Sequence, residues 1–234
     1  MKPVGAPLVP LRQYYGFPVS GFGCQESESL NTHMKLRKKF NHIYNFERSI
    51  GNSVAMRVIK GQPIGVWEFL IPVVFILHYM RNKQSREVFI QNYMFTKRHA
   101  LDAAFKMLKK GFSREDVRSG IEDKTRALLT APETQGIYSE AIRQQQMDEI
   151  DLLFDHYRKL LDAEGQDYDA LMRKVYGSRQ NYFIFHEQLI LAEKKVSDAA
   201  RQTLGSKANV DALLRIEKTT EEIRQIRIEK IFQS

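Results

Sequence analysis

Apolar residues return every three or four positions along most of this chain. Between about Thr32 and Lys60, the series Leu36, Phe40, Ile43, Glu47, Ile50, Val54 and Val58 keeps to one helical face. Thr32 is placed to cap that helix, and Gly61-Gln62-Pro63 to end it. A second helix is expected from about Gln84 to Lys110, with Gly111 just past its end. Ser113-Arg114-Glu115-Asp116 has the form of an N-cap followed by an acidic first turn. The helix it opens carries a stripe of Val117, Ile121, Thr125 and Leu128. It should stop at Ala131-Pro132, because the residue before a proline resists the helical conformation.

The periodicity is strongest in the last hundred residues. Ile142, Ile150, Leu153, Phe154, Tyr157, Leu160 and Leu161 form one face of a helix that Gly165 should end. Asp167 caps a short helix through Leu171 and Val175 to Gly177. Tyr182, Phe185, Leu189, Ala192, Val196, Ala199 and Thr203 then repeat in three–four spacing, the seam of a coiled-coil-like helix. After Gly205-Ser206, the series Val210, Leu213, Ile216, Thr220, Ile223 and Ile226 carries a last helix nearly to the end. Three long helices result, over about 139–163, 178–204 and 208–232, each roughly 40 Å at about 1.5 Å per residue. Short connections favour antiparallel neighbours. No run alternates as a strand would. The expected fold is all-α: an up-and-down bundle of long antiparallel helices with a basic N-terminal helical region. Three parts follow: an arm over 1–33, a basic helical region over 34–112, and the bundle over 113–234.

One segment breaks the periodic pattern. Ile64 to Met80, IGVWEFLIPVVFILHYM, is apolar all round, and at 17 residues it is near the lower limit for a bilayer-spanning helix. Glu68 lies inside it, and a carboxylate at mid-membrane costs about 2.5–3.5 kcal/mol. Pro72 divides it in the middle, removing an N–H and crowding the preceding turn. Both flanks are basic, with seven Lys and Arg over 35–60 and five over 81–98. Two basic ends belong on the same side of a membrane. These features predict an in-plane or re-entrant insertion, with Trp67 and Tyr79 at headgroup depth. The residues expected against lipid are Trp67, Phe69, Leu70, Ile71, Pro72, Val73, Phe75, Ile76, Leu77 and Tyr79. Those expected against an anionic surface are Lys35, Arg37, Lys38, Lys39, Arg81, Lys83 and Arg86. The alternatives are a simple transmembrane span and a buried core helix in a soluble protein, the latter with Pro72 in its first turn.

Charge sharpens that picture. The net charge is +8, but residues 1–112 hold 17 Lys and Arg against 6 Asp and Glu, while residues 113–234 hold 19 against 22. The basicity belongs to the half that carries the apolar segment, which points to a polyanionic partner or to a solvated basic face. The single cysteine, Cys24, excludes an intramolecular disulfide and a multi-cysteine metal site within this chain. No signal peptide is read: the proline- and glycine-rich start has no continuous apolar run, and GFGC at Cys24 lacks the segment a lipoprotein site needs.

Candidate chemistry is sparse. Ferritin-like di-iron sites use Glu-x-x-His on two helices. Here the residue three places before each histidine is Leu30, Lys39, Phe75, Thr96, Leu153 or Phe183. His156 and His186 are therefore expected at exposed or edge positions. Glu68 with His78 is the most suggestive ionisable pair for an enzyme or ligand pocket, though ten residues and a proline separate them. Lys35-Leu36-Arg37-Lys38-Lys39-Phe40, with Tyr44 and Phe46, has the basic and aromatic mixture of a nucleic-acid patch. Its place beside the apolar segment favours lipid. No catalytic, cofactor or metal site is assigned. The expected function is that of a helical scaffold on the cytoplasmic face of a membrane, with an anionic membrane surface as partner. The C-terminal helices would serve a protein partner or a second copy. The alternatives are a soluble bundle in the cytoplasm and a ligand-binding protein with its pocket near Glu68.

Overall fold

A computed structural model describes residues 22–59 and 85–233. Every regular element among them is helical: α1 Phe22–Val58, α2 Ser85–Lys110, α3 Arg114–Thr130, α4 Glu140–Asp162, α5 Tyr168–Tyr176, α6 Arg179–Leu204 and α7 Val210–Phe232. Short 3-10 turns occupy Pro132–Thr134 and Gly205–Lys207. The segment Ile64–Met80 and its expected membrane contacts lie outside the described residues, as does most of the arm over 1–33.

The punctuation follows the residue chemistry. Ser113 forms a capping box with Asp116, each side chain bonding the other's backbone N–H. Ser139, Asp167, Ser178 and Asn209 each accept a backbone N–H in the first turn of α4, α5, α6 and α7. Each such cap is worth about 1 kcal/mol. Ala131 is extended before Pro132 and ends α3. Gly111 and Gly177 close α2 and α5 at φ of 69°, where a side chain would be strained. Two boundaries differ from expectation. α1 begins at Phe22, so Thr32 stands inside the helix rather than capping it. α4 ends at Asp162, before Gly165, and that glycine instead makes room for α5. A Cβ there would come within 2.9 Å of the Leu171 backbone nitrogen. Only glycine lets α5 turn back so tightly.

α4 is the hub, packing on α2 and α6 above all, and also on α1, α3 and α5. Its Leu153, Tyr157, Leu160 and Leu161 are buried with Ile43 of α1, Leu101 of α2 and Leu171 and Met172 of α5. Burying each large apolar side chain contributes about 1.5–3 kcal/mol. A second cluster joins Ile50, Val54 and Val58 of α1 to Phe89, Ile90 and Met94 of α2 and Ile223 of α7. A third joins Phe95, Leu128, Tyr138 and Ile142 to Ala199 and Ala200. The expected stripe of α1 is therefore buried from Phe40 to Val58. Along the α6 seam, Tyr182, Phe185, Leu189, Val196 and Ala199 are buried.

Contacts fix the direction of neighbouring helices. Arg48 meets Glu87 while Phe40 meets Phe105, so α1 and α2 run antiparallel. Val58 and Ser85 therefore belong to the same end of the pair. Ser139 meets Thr203 while His156 stacks on Phe185, which orients α6 against α4 in the same manner.

Candidate functional site

Four charged residues converge inside the described helices: Lys97 of α2, Glu149 of α4, Glu193 of α6 and Arg224 of α7. Each occupies a three–four position that would otherwise hold an apolar side chain, so helix packing carries it inward. Lys97 follows Ile90 and Met94 and precedes Leu101, and Glu149 lies between Gln146 and Leu153. Glu193 stands between Leu189 and Val196, and Arg224 between Thr220 and Ile228.

Glu193 is the bridge. Arg224 donates to both of its oxygens, from Nη1 to Oε2 at 2.6 Å and from Nη2 to Oε1 at 2.7 Å. Lys97 Nζ donates to Glu193 Oε1 at 2.9 Å and lies 3.6 Å from Glu149 Oε1. Thr96 Oγ1 donates to that same Glu149 oxygen at 2.6 Å. Tyr93 closes the group: its hydroxyl accepts from Arg224 Nη2 at 3.0 Å, and Lys97 Nζ stands 4.3 Å from its ring centre. Gly51 of α1 makes the seat for that ring, since a Cβ would fall 2.8 Å from Tyr93 Cδ1.

Electrostatics decides the charge states. Burial works against the Lys97 ammonium, but Glu193 and Glu149 outweigh it and hold its pKa above the ordinary lysine value. Burial would raise Glu193, yet Arg224 and Lys97 overcome that and hold it well below the usual carboxylate range. Glu149 goes the other way: burial, joined by the Glu193 charge, lifts its pKa, with Lys97, the Thr96 hydroxyl and Arg224 in partial opposition. Burial also raises Tyr93.

A cavity of about 320 Å³ opens beside this cluster, between α2, α6 and α7 with Glu149 of α4 at its wall. Phe89, Val196, Leu213 and Ile216 line its apolar side. Asn92 also lines it. That side chain is buried, and its Oδ1 has no hydrogen-bond partner. A larger groove of about 770 Å³ runs over α2 and α3 past Arg48, Arg98, His99, Lys106 and Lys124.

The structure separates the expected surface cations. Lys35, Arg37, Lys38 and Arg86 are exposed. The Arg37 guanidinium lies 5.0 Å from the Phe40 ring centre. Lys39 is half-buried and donates to the Leu161 carbonyl at 3.0 Å, satisfying the last turn of α4. Lys97, one of the five cations on the downstream flank, is not at the surface at all. Arg81, Lys83, Glu68 and His78 lie outside the described residues. The aromatic part of the nucleic-acid patch is used internally: Phe40 is buried against Phe105, and Phe46 stacks on Tyr168 at 3.6 Å.

Two histidines correct the expectation of exposure. His156 is 3% exposed and His186 is fully buried. His156 stacks on Phe185 at 4.2 Å, with Nδ1 hydrogen-bonded to the Tyr176 hydroxyl at 2.7 Å. Burial lowers its pKa to about 3 and that of His186 to about 4. Each lies on its helix's apolar face, His156 three residues after Leu153 and His186 four after Tyr182. That register, rather than the absence of acidic neighbours, decides their burial.

Among the described residues, no group of three or more His, Cys, Asp or Glu side chains is arranged to hold a metal ion, and no helix is long and apolar enough to cross a membrane. No family model, curated protein or solved structure matches this chain.

Proposed function

We propose that this protein is a helical scaffold held on the anionic, cytoplasmic face of a membrane by residues 64–80 and the cations that flank them. One observation carries the reading: α1 and α2 pack antiparallel, so the chain leaves the pair after Val58 and returns to the same end at Ser85. An odd number of bilayer crossings between those points is incompatible with the packing. A segment that enters and leaves on one side fits it, and Pro72 offers the place to turn. Arg86 is exposed beside the end where the chain returns, and Lys35, Arg37 and Lys38 are exposed roughly 30–35 Å further along α1, so all four face headgroups with the helix pair lying along the surface, each worth about 1 kcal/mol there. The helices beyond α2 complete an up-and-down bundle. Ile184 and Leu191 of α6 and Leu214 and Ile226 of α7 are exposed, which supports contact with a second copy.

Flotation with phosphatidylcholine vesicles, with and without phosphatidylserine, tests the reading. The full chain should float with the anionic vesicles at low salt and stay bound at high salt. Reversing Lys35, Lys38 and Arg86 to Glu should weaken the low-salt binding at least on the order of a hundredfold, since three contributions of about 1 kcal/mol are lost and repulsion is added. Absence of binding at low salt would overturn the proposal. Complete release by salt would overturn insertion and leave only charge attraction.

A further inference from the structure

The groove of about 770 Å³ over α2 and α3 is within the size range of small-molecule pockets. Two helical stripes build its middle. α2 contributes His99, Ala103 and Lys106, and α3 contributes Val117, Gly120 and Lys124, each set spaced by three or four residues. Gly120 is the unexpected member. It sits inside α3, where glycine weakens a helix relative to alanine. Packing does not call for it: a Cβ at Gly120 would meet no atom within 4 Å. Its place in the stripe, between Val117 and Lys124, aims that missing Cβ along the groove wall. What glycine supplies there is space.

The charges say what the space is for. Among the described residues, the lining sets Arg48, Arg98, Lys106 and Lys124 against Glu87, Asp102 and Asp116. Arg48 is answered by Glu87, through hydrogen bonds of 3.1 Å to both oxygens. Asp102 stands 3.7 Å from Arg98 Nε, and Asp116 closes the capping box at the start of α3. Lys106 and Lys124 are exposed, and neither forms an ion pair with a described carboxylate. Crediting Asp116 to one of them still leaves the other in excess. That excess is felt at His99. Burial lowers the pKa of its ring to about 4, Lys124, Arg98 and Lys106 add to the effect, and no described carboxylate opposes them. The ring stands edge-on to Phe95 at 4.6 Å, and no described group hydrogen-bonds it. An anion beside this half-buried ring would gain an N–H donor and an attractive field together.

We propose that this groove binds a phosphate monoester with a small apolar body: the dianionic phosphate accepts from the His99 ring N–H in the field of Arg98, Lys106 and Lys124, and the body lies along Val117 and Phe112. A doubly charged group suits two unpaired lysines better than a carboxylate does. Phe112 is 44% exposed and Val117 half-buried, so the body covers apolar surface that water now meets. Lys35, Arg37, Lys38 and Arg86 take no part, so the site stands or falls apart from the membrane reading.

The test titrates the full chain at physiological salt with hexyl phosphate, inorganic phosphate and hexanoate, read by calorimetry and by the NMR signals of the histidine rings. Hexyl phosphate should bind saturably and shift the His99 signals, while those of His156 and His186, inside the bundle, stay in place. Inorganic phosphate, which has no body, and hexanoate, which has one charge, should each bind at least tenfold more weakly. The double variant Lys106→Gln and Lys124→Gln should weaken hexyl phosphate at least tenfold. Both side chains are exposed and unpaired, so folding is not at issue. Gly120→Leu, which fills the groove without touching a charge and favours the helix, should abolish binding. Dihexanoyl phosphatidate, added as a fourth probe, identifies the source of the ester: tighter binding than hexyl phosphate means a lipid headgroup, weaker binding a free metabolite, and either result keeps the proposal. Four results would overturn it: no saturable binding of hexyl phosphate; inorganic phosphate or hexanoate equal to it, which would mean charge attraction or apolar contact only; binding that leaves the His99 signals unmoved; or binding that survives Gly120→Leu.

Discussion

The interior between α1, α4 and α5 and the interior between α2, α6 and α7 share one frame but differ in chemistry. In the first, Ile43, Leu153, Leu160, Leu161 and Leu171 are almost completely buried, and the Tyr157 hydroxyl is matched by Glu47 Oε1 at 3.0 Å. In the second, equivalent register positions carry Lys97, Glu149, Glu193 and Arg224, an open acceptor stands at Asn92, and a cavity remains. Apolar contacts are non-directional, so the first region gains stability from every methylene it hides. Desolvating the charges of the second costs energy that their attraction returns only in part. A chain does not need that arrangement to fold.

Acid should separate the two regions most strongly. His156 and His186 are held neutral in the folded state, with pKa values near 3 and 4. Unfolded, both would take a proton near pH 6.5. Between those values the unfolded chain binds more protons, so the stability these histidines contribute is present above pH 6.5 and lost as pH falls. Each accounts for an effect on the order of 3–5 kcal/mol. Glu193, with its pKa held down, loses its share only below the ordinary carboxylate range. Glu149, with its pKa raised, acts in the opposite sense and gains stability as it protonates. Urea midpoints measured from pH 7 to pH 4 should fall steeply. The pair His156→Phe and His186→Leu should flatten that fall. A flat profile in the wild-type chain would show that neither histidine is buried in solution.

Removing one partner of the charged cluster comes next. Lys97→Met leaves Glu193 and Glu149 close together with less compensation, and should cost about 3–5 kcal/mol in urea unfolding. Leu160→Ala in the apolar region should cost a similar 2–5 kcal/mol by opening a cavity. The regions then part company. Replacing Lys97, Glu149, Glu193 and Arg224 together by apolar residues of like size should recover the loss or stabilise by about 1–4 kcal/mol. No companion change at charged positions can restore Leu160→Ala. If the fourfold variant is as unstable as Lys97→Met, the cluster is a stability element and the contrast fails.

A smaller gain is expected at His186. Neither ring nitrogen has a partner, so His186→Leu removes two open polar atoms and should stabilise by about 1 kcal/mol at pH 7.

The apolar region is legible in the sequence because burial there obeys the three–four spacing that also makes the helix. Tyr182, Phe185 and Leu189 read inward with no knowledge of their partners. Capping is equally local: Ser113 and Asp116, or Asp167 and Ala170, complete each other within four residues. The charged cluster escapes such a reading because its members come from four helices, with Lys97 and Arg224 127 positions apart in the numbering. Each alone looks like a solvated side chain. The signal that exists is a charge at an apolar register position in every one of those helices, as in Ile90–Met94–Lys97–Leu101 and Leu189–Glu193–Val196. The histidines carry the same signal. Thr32 misleads because its side chain suits a cap, while the helix begins ten residues earlier at Phe22.

The outer surface supplies the weakest and most discriminating comparison. Arg114 meets Asp155 through two hydrogen bonds, at 2.7 and 3.2 Å, much as Arg224 meets Glu193. The pairs differ in exposure: the side chains of Arg114 and Asp155 are 40% and 43% exposed, against 8% and 25% for Arg224 and Glu193. Water screens the outer pair, so its coupling in a double-mutant cycle with alanine should be about 0.2–1 kcal/mol. Arg114 also stands 4.9 Å from the Phe154 ring centre, so Arg114→Ala alone will cost more than that coupling. The cycle removes this contribution because it is common to both backgrounds. The same cycle on Arg224 and Glu193 should give a coupling several times larger. Equal couplings would mean that water reaches both pairs alike, and the interior around Lys97 would then differ from the surface in position only.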